Sequence, residues 1–148
     1  MSVDVMEPKP EHEAGWRALW EEYCDGAIEP HVSDATWARL LDPASSIAGL
    51  VAVSAGEVIG FANYVVHEGT WVTKPVCYVE DVFVSKLQRG RGSLVARAMA
   101  DQLVRRVYSG EWSRLWGITA ADNFVAQRLY SGFVGGKSYV RYVMRGDQ

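Results

Sequence analysis

One stretch, Cys77–Leu103 (CYVEDVFVSKLQRGRGSLVARAMADQL), constrains the fold of this chain more than any other. Val, Tyr and Phe dominate Cys77–Val84, the composition of a buried strand. Ser85–Gln88 is a polar hinge, and Arg89-Gly90-Arg91-Gly92-Ser93 is a basic, glycine-rich turn. Leu94, Val95, Ala98, Met99 and Leu103 then recur at helical spacing, in a helix that runs to about Tyr108. A strand fed through such a turn into a helix N-terminus makes an anion site. The first N–H groups of the helix have no partner within it, and the helix dipole adds partial positive charge. Gly90 and Gly92 let the backbone approach a ligand, and Arg89 and Arg91 add formal charge. A phosphate or pyrophosphate is the natural occupant; an ordinary loop before a helix is the plain alternative.

The rest of the chain supplies a sheet for this unit. Val3–Met6 alternates as a short first strand. Glu11–Asp25 carries Trp16, Leu19, Trp20 and Tyr23 at spacings of three and four, an amphipathic helix. Ser33 or Asp34 can cap a second helix, Ala35–Leu41, which Asp42-Pro43 ends. Ile47–Ser54 and Val58–His67 flank Ala55-Gly56-Glu57 and read as a hairpin. A loop, Gly69–Pro75, precedes the central stretch. Leu115–Thr119 is a short strand, and Asp122 or Asn123 opens a helix through Val125, Ala126, Leu129 and Tyr130. Gly132–Gly136 is a turn, and Ser138–Arg145 is a last alternating strand. The order β-α-α-β-β-β-α-β-α-β predicts an α/β (α+β) domain. Its central sheet is mixed, with helices on both faces. At 148 residues, 49% of them apolar, the expectation is a single domain over 1–148.

The turn can be compared with known phosphate-binding motifs. No Lys-Ser or Lys-Thr follows its glycines, which excludes a P-loop. Val95 stands where a dinucleotide fingerprint needs a small residue. What remains resembles motif A of the GNAT N-acetyltransferase superfamily, Gln/Arg-x-x-Gly-x-Gly/Ala, here Arg89-Gly90-Arg91-Gly92-Ser93-Leu94. Leu94 departs from the small residue preferred at the last position. Leu115–Phe133 resembles motif B of the same family, through Asn123, Ala126, Tyr130, Gly132 and Phe133. The order of elements matches the GNAT fold over almost the whole chain. Tyr78–Val84 (YVEDVFV) resembles the diamine and polyamine acetyltransferase branch. His67-Glu68-Gly69-Thr70-Trp71 resembles the related histone and polyamine branch.

The resemblance implies an acetyl-CoA-dependent N-acetyltransferase acting on a primary amine. It implies direct attack in a ternary complex, with acetyl-CoA as co-substrate and no metal. The cofactor would lie along Val82, Phe83 and Val84, whose strand is bulged in the family and supplies backbone N–H. Its pyrophosphate would sit on Arg89, Gly90, Arg91, Gly92, Ser93 and Leu94, and Asn123 would bond the pantetheine arm. Glu80 takes the acceptor side, as base through water or as anchor for a cationic amine. Tyr130 would protonate the leaving thiolate. Neighbours in a strand point to opposite faces, so Glu80 and Asp81 cannot share one task, and Asp81 would hold structure. The bland readings are a structural carboxylate pair, a helix-capping Asn123 and a core Tyr130.

Charge bears on the acceptor. Residues 1–34 hold nine acidic side chains against Lys9 and Arg17, whereas residues 86–106 hold six cations against Asp101. The basic block suits an anionic cofactor. The acidic helices, which border the acceptor side in the resembled fold, hint at a cationic amine. A polyamine-like or lysine-like small molecule is favoured, with an aminoglycoside and a protein N-terminus also open. A solvated charged face is the ordinary alternative. A net charge of −3 gives no argument for nucleic acid. Trp37 and Trp71 could line the acceptor slot or belong to the core, and His67 could serve as an alternative base. Cys24 and Cys77 lack metal or disulfide spacing and read as buried reduced thiols. No run is long enough to span a bilayer and the N-terminus lacks a signal-peptide pattern, so a cytoplasmic protein is expected. Apolar residues on both faces of Ser138–Arg145 suggest a shared strand and a homodimer. A CoA-binding sensor or partner module with little catalysis, or an enzyme using another acyl-CoA, remains as the alternative.

Overall fold

The sheet grows from one hairpin. Strands β2 (Ile47–Ser54) and β3 (Glu57–His67) are joined by Ala55 and Gly56, with φ of 50° and 80°. A two-residue connection with both φ positive matches the twist of the strands it joins. Strand β1 (Asp4–Met6) adds antiparallel to β2, and β4 (Val76–Val84) adds antiparallel to β3. Strand β5 (Arg114–Gly117) adds parallel to β4, which requires a crossover. Helix α3 (Gly92–Tyr108) supplies it, giving the sheet order β1-β2-β3-β4-β5. The computed structural model describes residues 2–88, 90–133, 135 and 139–146. Arg89 of the basic turn, Gly136 and Ser138 lie outside the described residues.

Period-two alternation divides the strands between two cores. Val51 and Phe61 face helices α1 (Glu13–Cys24) and α2 (Pro30–Leu41), and pack with Trp16, Leu19, Trp20, Trp37 and Leu40. Leu50, Ala52, Ile59, Ala62, Tyr64 and Cys77 face the other way, onto Val95, Met99 and Leu103 of α3 and onto Trp112. The mixed sheet with helices on both faces is therefore present as the sequence predicts. Gly60 lets α3 close on the sheet. A Cβ there would stand 3.1 Å from the Phe83 carbonyl oxygen and 3.3 Å from side-chain carbons of Val95 and Met99.

Three expectations change. Helix α2 starts at Pro30, with Glu29 as its N-cap, rather than at Ala35. Proline is favoured at the first helical position because its missing N–H would have no helical partner there. Ser33 and Asp34 bind α1 instead of capping: Ser33 Oγ accepts from Trp20 Nε1 (2.9 Å) and Asp34 from Arg17 (2.8 Å). Leu94 is not a core position, being 66% exposed, and Ala96 is buried in the helix stripe instead. The last strand is absent among the described residues 139–146, which run as irregular chain. A strand exists only through its ladder, and no ladder is recorded for this segment.

The chain forms two compact units, Met1–Ile118 and Thr119–Gln148. The first holds the sheet and α1 to α3; the second holds α4 (Phe124–Ser131). Among the described residues, no helix is long and apolar enough to cross a membrane, and no group of three His, Cys, Asp or Glu could hold a metal ion.

Candidate active site

Strand β4 is where the sheet stops being regular. Along β3 its register runs Val79 to Tyr64 and Asp81 to Asn63, which leaves Glu80 with no partner. One extra residue on one strand is a β-bulge, a device that re-aims a side chain. It falls two residues before Val82–Val84. On its other side β4 pairs with β5 only over Val76–Val79. From Asp81 to Val84, β4 is therefore paired with β3 and not with β5.

The two adjacent carboxylates differ in their surroundings. Glu80 is exposed. Partial burial of its carboxyl and the neighbouring Asp81 charge raise its pKa above the ordinary value. Asp81 is half-buried and accepts hydrogen bonds from Tyr23 Oη (3.0 Å) and Asn63 Nδ2 (3.1 Å). Burial raises its pKa as well, against the lowering effect of those two bonds. Tyr23 is the last aromatic of the α1 stripe, and its ring packs on Phe61 and Phe83. It fixes the C-terminal end of α1, an acidic segment, beside the middle of β4, and Glu22 of that end pairs with Lys86 (3.6 Å). The helical spacing in the sequence predicts Tyr23 as an apolar-face residue. Its bond to Asp81 is not signalled, and neither is the role of Asn63.

The turn after β4 leads into α3 without blocking its end. The Ser85 N–H donates to the Ile59 carbonyl, Gln88 to Ser85, and Arg91 to Gln88. Gly90 lies at φ 73°, a left-handed conformation that glycine adopts at no steric cost. The first bonds back along α3 come from Leu94 and Val95, both to the Arg91 carbonyl, so Gly92 and Ser93 precede the ladder. A Cβ on Gly90 would meet nothing within 4 Å, and one on Gly92 would meet only Val84, at 3.8 Å. Leu94 therefore does not crowd either position. An open first turn on a 17-residue helix fits an anionic pyrophosphate.

In the second unit, Asn123 caps α4 by accepting from the Ala126 N–H (3.2 Å), which leaves its amide NH2 as a donor. Burial raises the pKa of the Tyr130 phenol. Other candidates are placed as follows. Trp37 is core, and Trp71 is 91% exposed. His67 contacts Trp116. Burial pushes the Cys24 and Cys77 thiols up to about 11 and about 12, so neither is a ready nucleophile.

Comparison with known proteins gives one family. The model of the acetyltransferase (GNAT) family matches residues 13–133. The D-amino-acid N-acetyltransferase HPA3 of Saccharomyces cerevisiae is 31% identical over 134 residues, covering 87% of this chain and 81% of the relative. Among solved structures, the aminoglycoside acetyltransferase AAC(6')-Iy, in complex with a CoA bisubstrate analogue, superposes with a TM-score of 0.81. It is 22% identical and covers 99% of this chain and 100% of its own. The ribosomal-protein-alanine N-acetyltransferase of Brucella melitensis biovar Abortus 2308 gives a TM-score of 0.78 at 21% identity, covering 98% and 100%. These two structural likenesses concern the fold.

Proposed function

The chain belongs to the GNAT family of N-acetyltransferases, whose acyl donor is acetyl-CoA, and on that premise we propose that it acetylates a primary amine of a small cationic molecule, polyamine-like or lysine-like. The observation that carries this reading is Glu80. It is an exposed carboxylate with a raised pKa, in the one bulge of β4, beside the acidic end of α1. A protonated amine is no nucleophile, and Glu80 takes its proton, through a water, as the amine approaches. Acetyl-CoA supplies the thioester that the amine attacks. Main-chain N–H groups of Val82–Val84 face the charge that develops on the acyl oxygen. The first turn of α3, with Arg91, Gly92, Ser93 and Leu94, holds the pyrophosphate together with Arg89 and Gly90. Asn123 donates to the pantetheine arm, and the Tyr130 phenol, kept protonated by burial, gives its proton to the departing sulfur. Most of the rate gain comes from holding amine and thioester together.

A second acceptor reading has its own support: the yeast relative is a D-amino-acid N-acetyltransferase. An amine panel separates the two. Thiol release from acetyl-CoA is measured with spermidine, a diamine, lysine, D-amino acids and an aminoglycoside. Turnover favouring polyamines or lysine supports the first reading; turnover confined to D-amino acids replaces it with the second. Glu80→Gln should lower kcat about 100-fold and leave the KM for acetyl-CoA unchanged. It should also remove the acid limb of the pH profile. Since Glu80 must be deprotonated and its pKa is raised, that limb lies above the ordinary 4.5, with activity falling as pH falls through it. Acetyl-CoA binding without thiol release on any amine would instead favour the sensor reading. The exposed Tyr139, Val140, Tyr142 and Met144 support self-association, which a scattering mass of twice 16.4 kDa would establish.

A further inference from the structure

Trp116 and Tyr78 form an aromatic shelf on the strand pair that leads to Glu80. They are register partners across β4 and β5, stacked with centroids 4.4 Å apart and planes at 29°. Trp16, Trp20, Trp37 and Trp112 are all buried, whereas Trp116 is 44% exposed. Its orientation is fixed from behind. The indole N–H donates to His67 Nε2 (3.4 Å), and His67 Nδ1 lies 2.7 Å from the Glu68 carbonyl oxygen. The neutral tautomer with its hydrogen on Nδ1 satisfies both contacts. The His67 ring also stands edge-on to the indole, at 82°. Cys77 and Val79 face the α3 core, so alternation puts Tyr78 on the opposite face; the bulge at Glu80 shifts the alternation by one residue, so that Asp81 and Phe83 fall on that face too. Glu80 follows two residues further, roughly 7 Å along the strand.

We infer that the Trp116–Tyr78 pair positions the amine acceptor, whose carbon chain or ring lies against the indole while its ammonium group is directed to Glu80. The inference rests on the acceptor-side reading of Glu80 given above. An aromatic face attracts a cation through its quadrupole, and a hydrocarbon chain laid on it loses contact with water. Both effects favour the same class of ligand: an amine borne on an extended apolar chain or a ring. Glu80 and the acidic end of α1 carry the complementary charge. A short amine reaches the carboxylate without touching the shelf, so the shelf selects long acceptors over short ones. A pair that merely braced two strands would carry no such length preference.

Two measurements test this. In the thiol-release assay, Trp116→Ala should raise the KM for a long diamine about tenfold. The KM for methylamine and for acetyl-CoA should stay within about twofold of wild type, and Trp116→Phe should restore most of the loss. An unchanged diamine KM in Trp116→Ala, or an equal rise for methylamine, overturns the proposal. Binding is read separately, without turnover, by titrating spermidine into the CoA-loaded protein and following indole emission. A wild-type response that is lost in Trp116→Phe supports the shelf, even if thiol release fails and the acceptor reading falls with it. The same response in both proteins, or none in wild type, overturns it.

Discussion

The two faces of the sheet are built from different material. Under α3 the core is mainly aliphatic: Leu50, Ala52, Ile59, Ala62, Val95, Met99 and Leu103. Under α1 and α2 it is mainly aromatic, with Trp16 stacked on Trp20 at 5.2 Å and close to Trp37 and Phe61. Polar groups also differ. The aromatic side buries the Trp16 N–H and the Asn63 side-chain oxygen without a hydrogen-bond partner among the described residues, and it holds the Asp81 carboxylate. Buried polar groups of this kind oppose stability. The unpartnered polar groups therefore lie on the aromatic side, whereas the buried hydroxyl on the α3 side, that of Tyr64, accepts a hydrogen bond from Arg106 (3.0 Å). Ring stacking and large buried area offset the cost where it occurs.

The largest test of this contrast is truncation of the two central side chains, both fully buried. Trp16→Ala should cost about 3–5 kcal/mol and Met99→Ala about 2–5 kcal/mol, read from urea unfolding. Trp16→Phe sharpens the comparison. It removes the unpartnered N–H while keeping a ring, so it should recover most of the loss. A Trp16→Phe protein as unstable as Trp16→Ala would break the claim that the polar cost sits on the aromatic side.

Asp81 gives an intermediate effect with a sign. Its folded pKa is raised above the ordinary 3.8, so folding takes up a proton in that range. Its stabilising contribution is therefore complete below about pH 3.8 and is lost as pH rises through the raised value. Asp81→Asn cannot make that gain, so the advantage of wild type over the variant in urea midpoint should grow as pH falls from neutral. A constant gap would mean that the bonds from Tyr23 and Asn63 cancel the burial. The smallest effect is expected at Arg17, which bridges Glu13 and Asp34 near the surface. Arg17→Ala should cost less than about 1 kcal/mol, and less still at high salt.

Local chemistry explains what the sequence made legible. The hairpin at Ala55-Gly56 and the strand–turn–helix unit each carry their signals within a few neighbouring residues. So did the Asn123 cap. The start of α2 was readable too, but Pro30 is a weaker mark than the Ser33 and Asp34 that follow it, and those two serve contacts with α1. The roles of Tyr23 and Asn63 were not legible, because their bonds to Asp81 span 58 and 18 residues. The stacking of Tyr78 on Trp116 likewise depends on the parallel register, which no local pattern reports. Tyr139–Met144 alternates as a strand should, yet alternation describes a strand's faces and not its partner.

The early end of β5 sets different demands on one short stretch. From Val82 to Val84 the side chains belong to the two cores, Phe83 to one and Val82 and Val84 to the other. The main-chain groups that do not pair with β3 belong to the edge that β5 leaves uncovered. Amide groups are alike in every residue but proline, so that edge is indifferent to spelling and sensitive to count. Conservative drift in these letters would be registered as a change in stability. Insertion of a single residue would turn each outward group inward and erase the edge's pattern while leaving its composition almost intact.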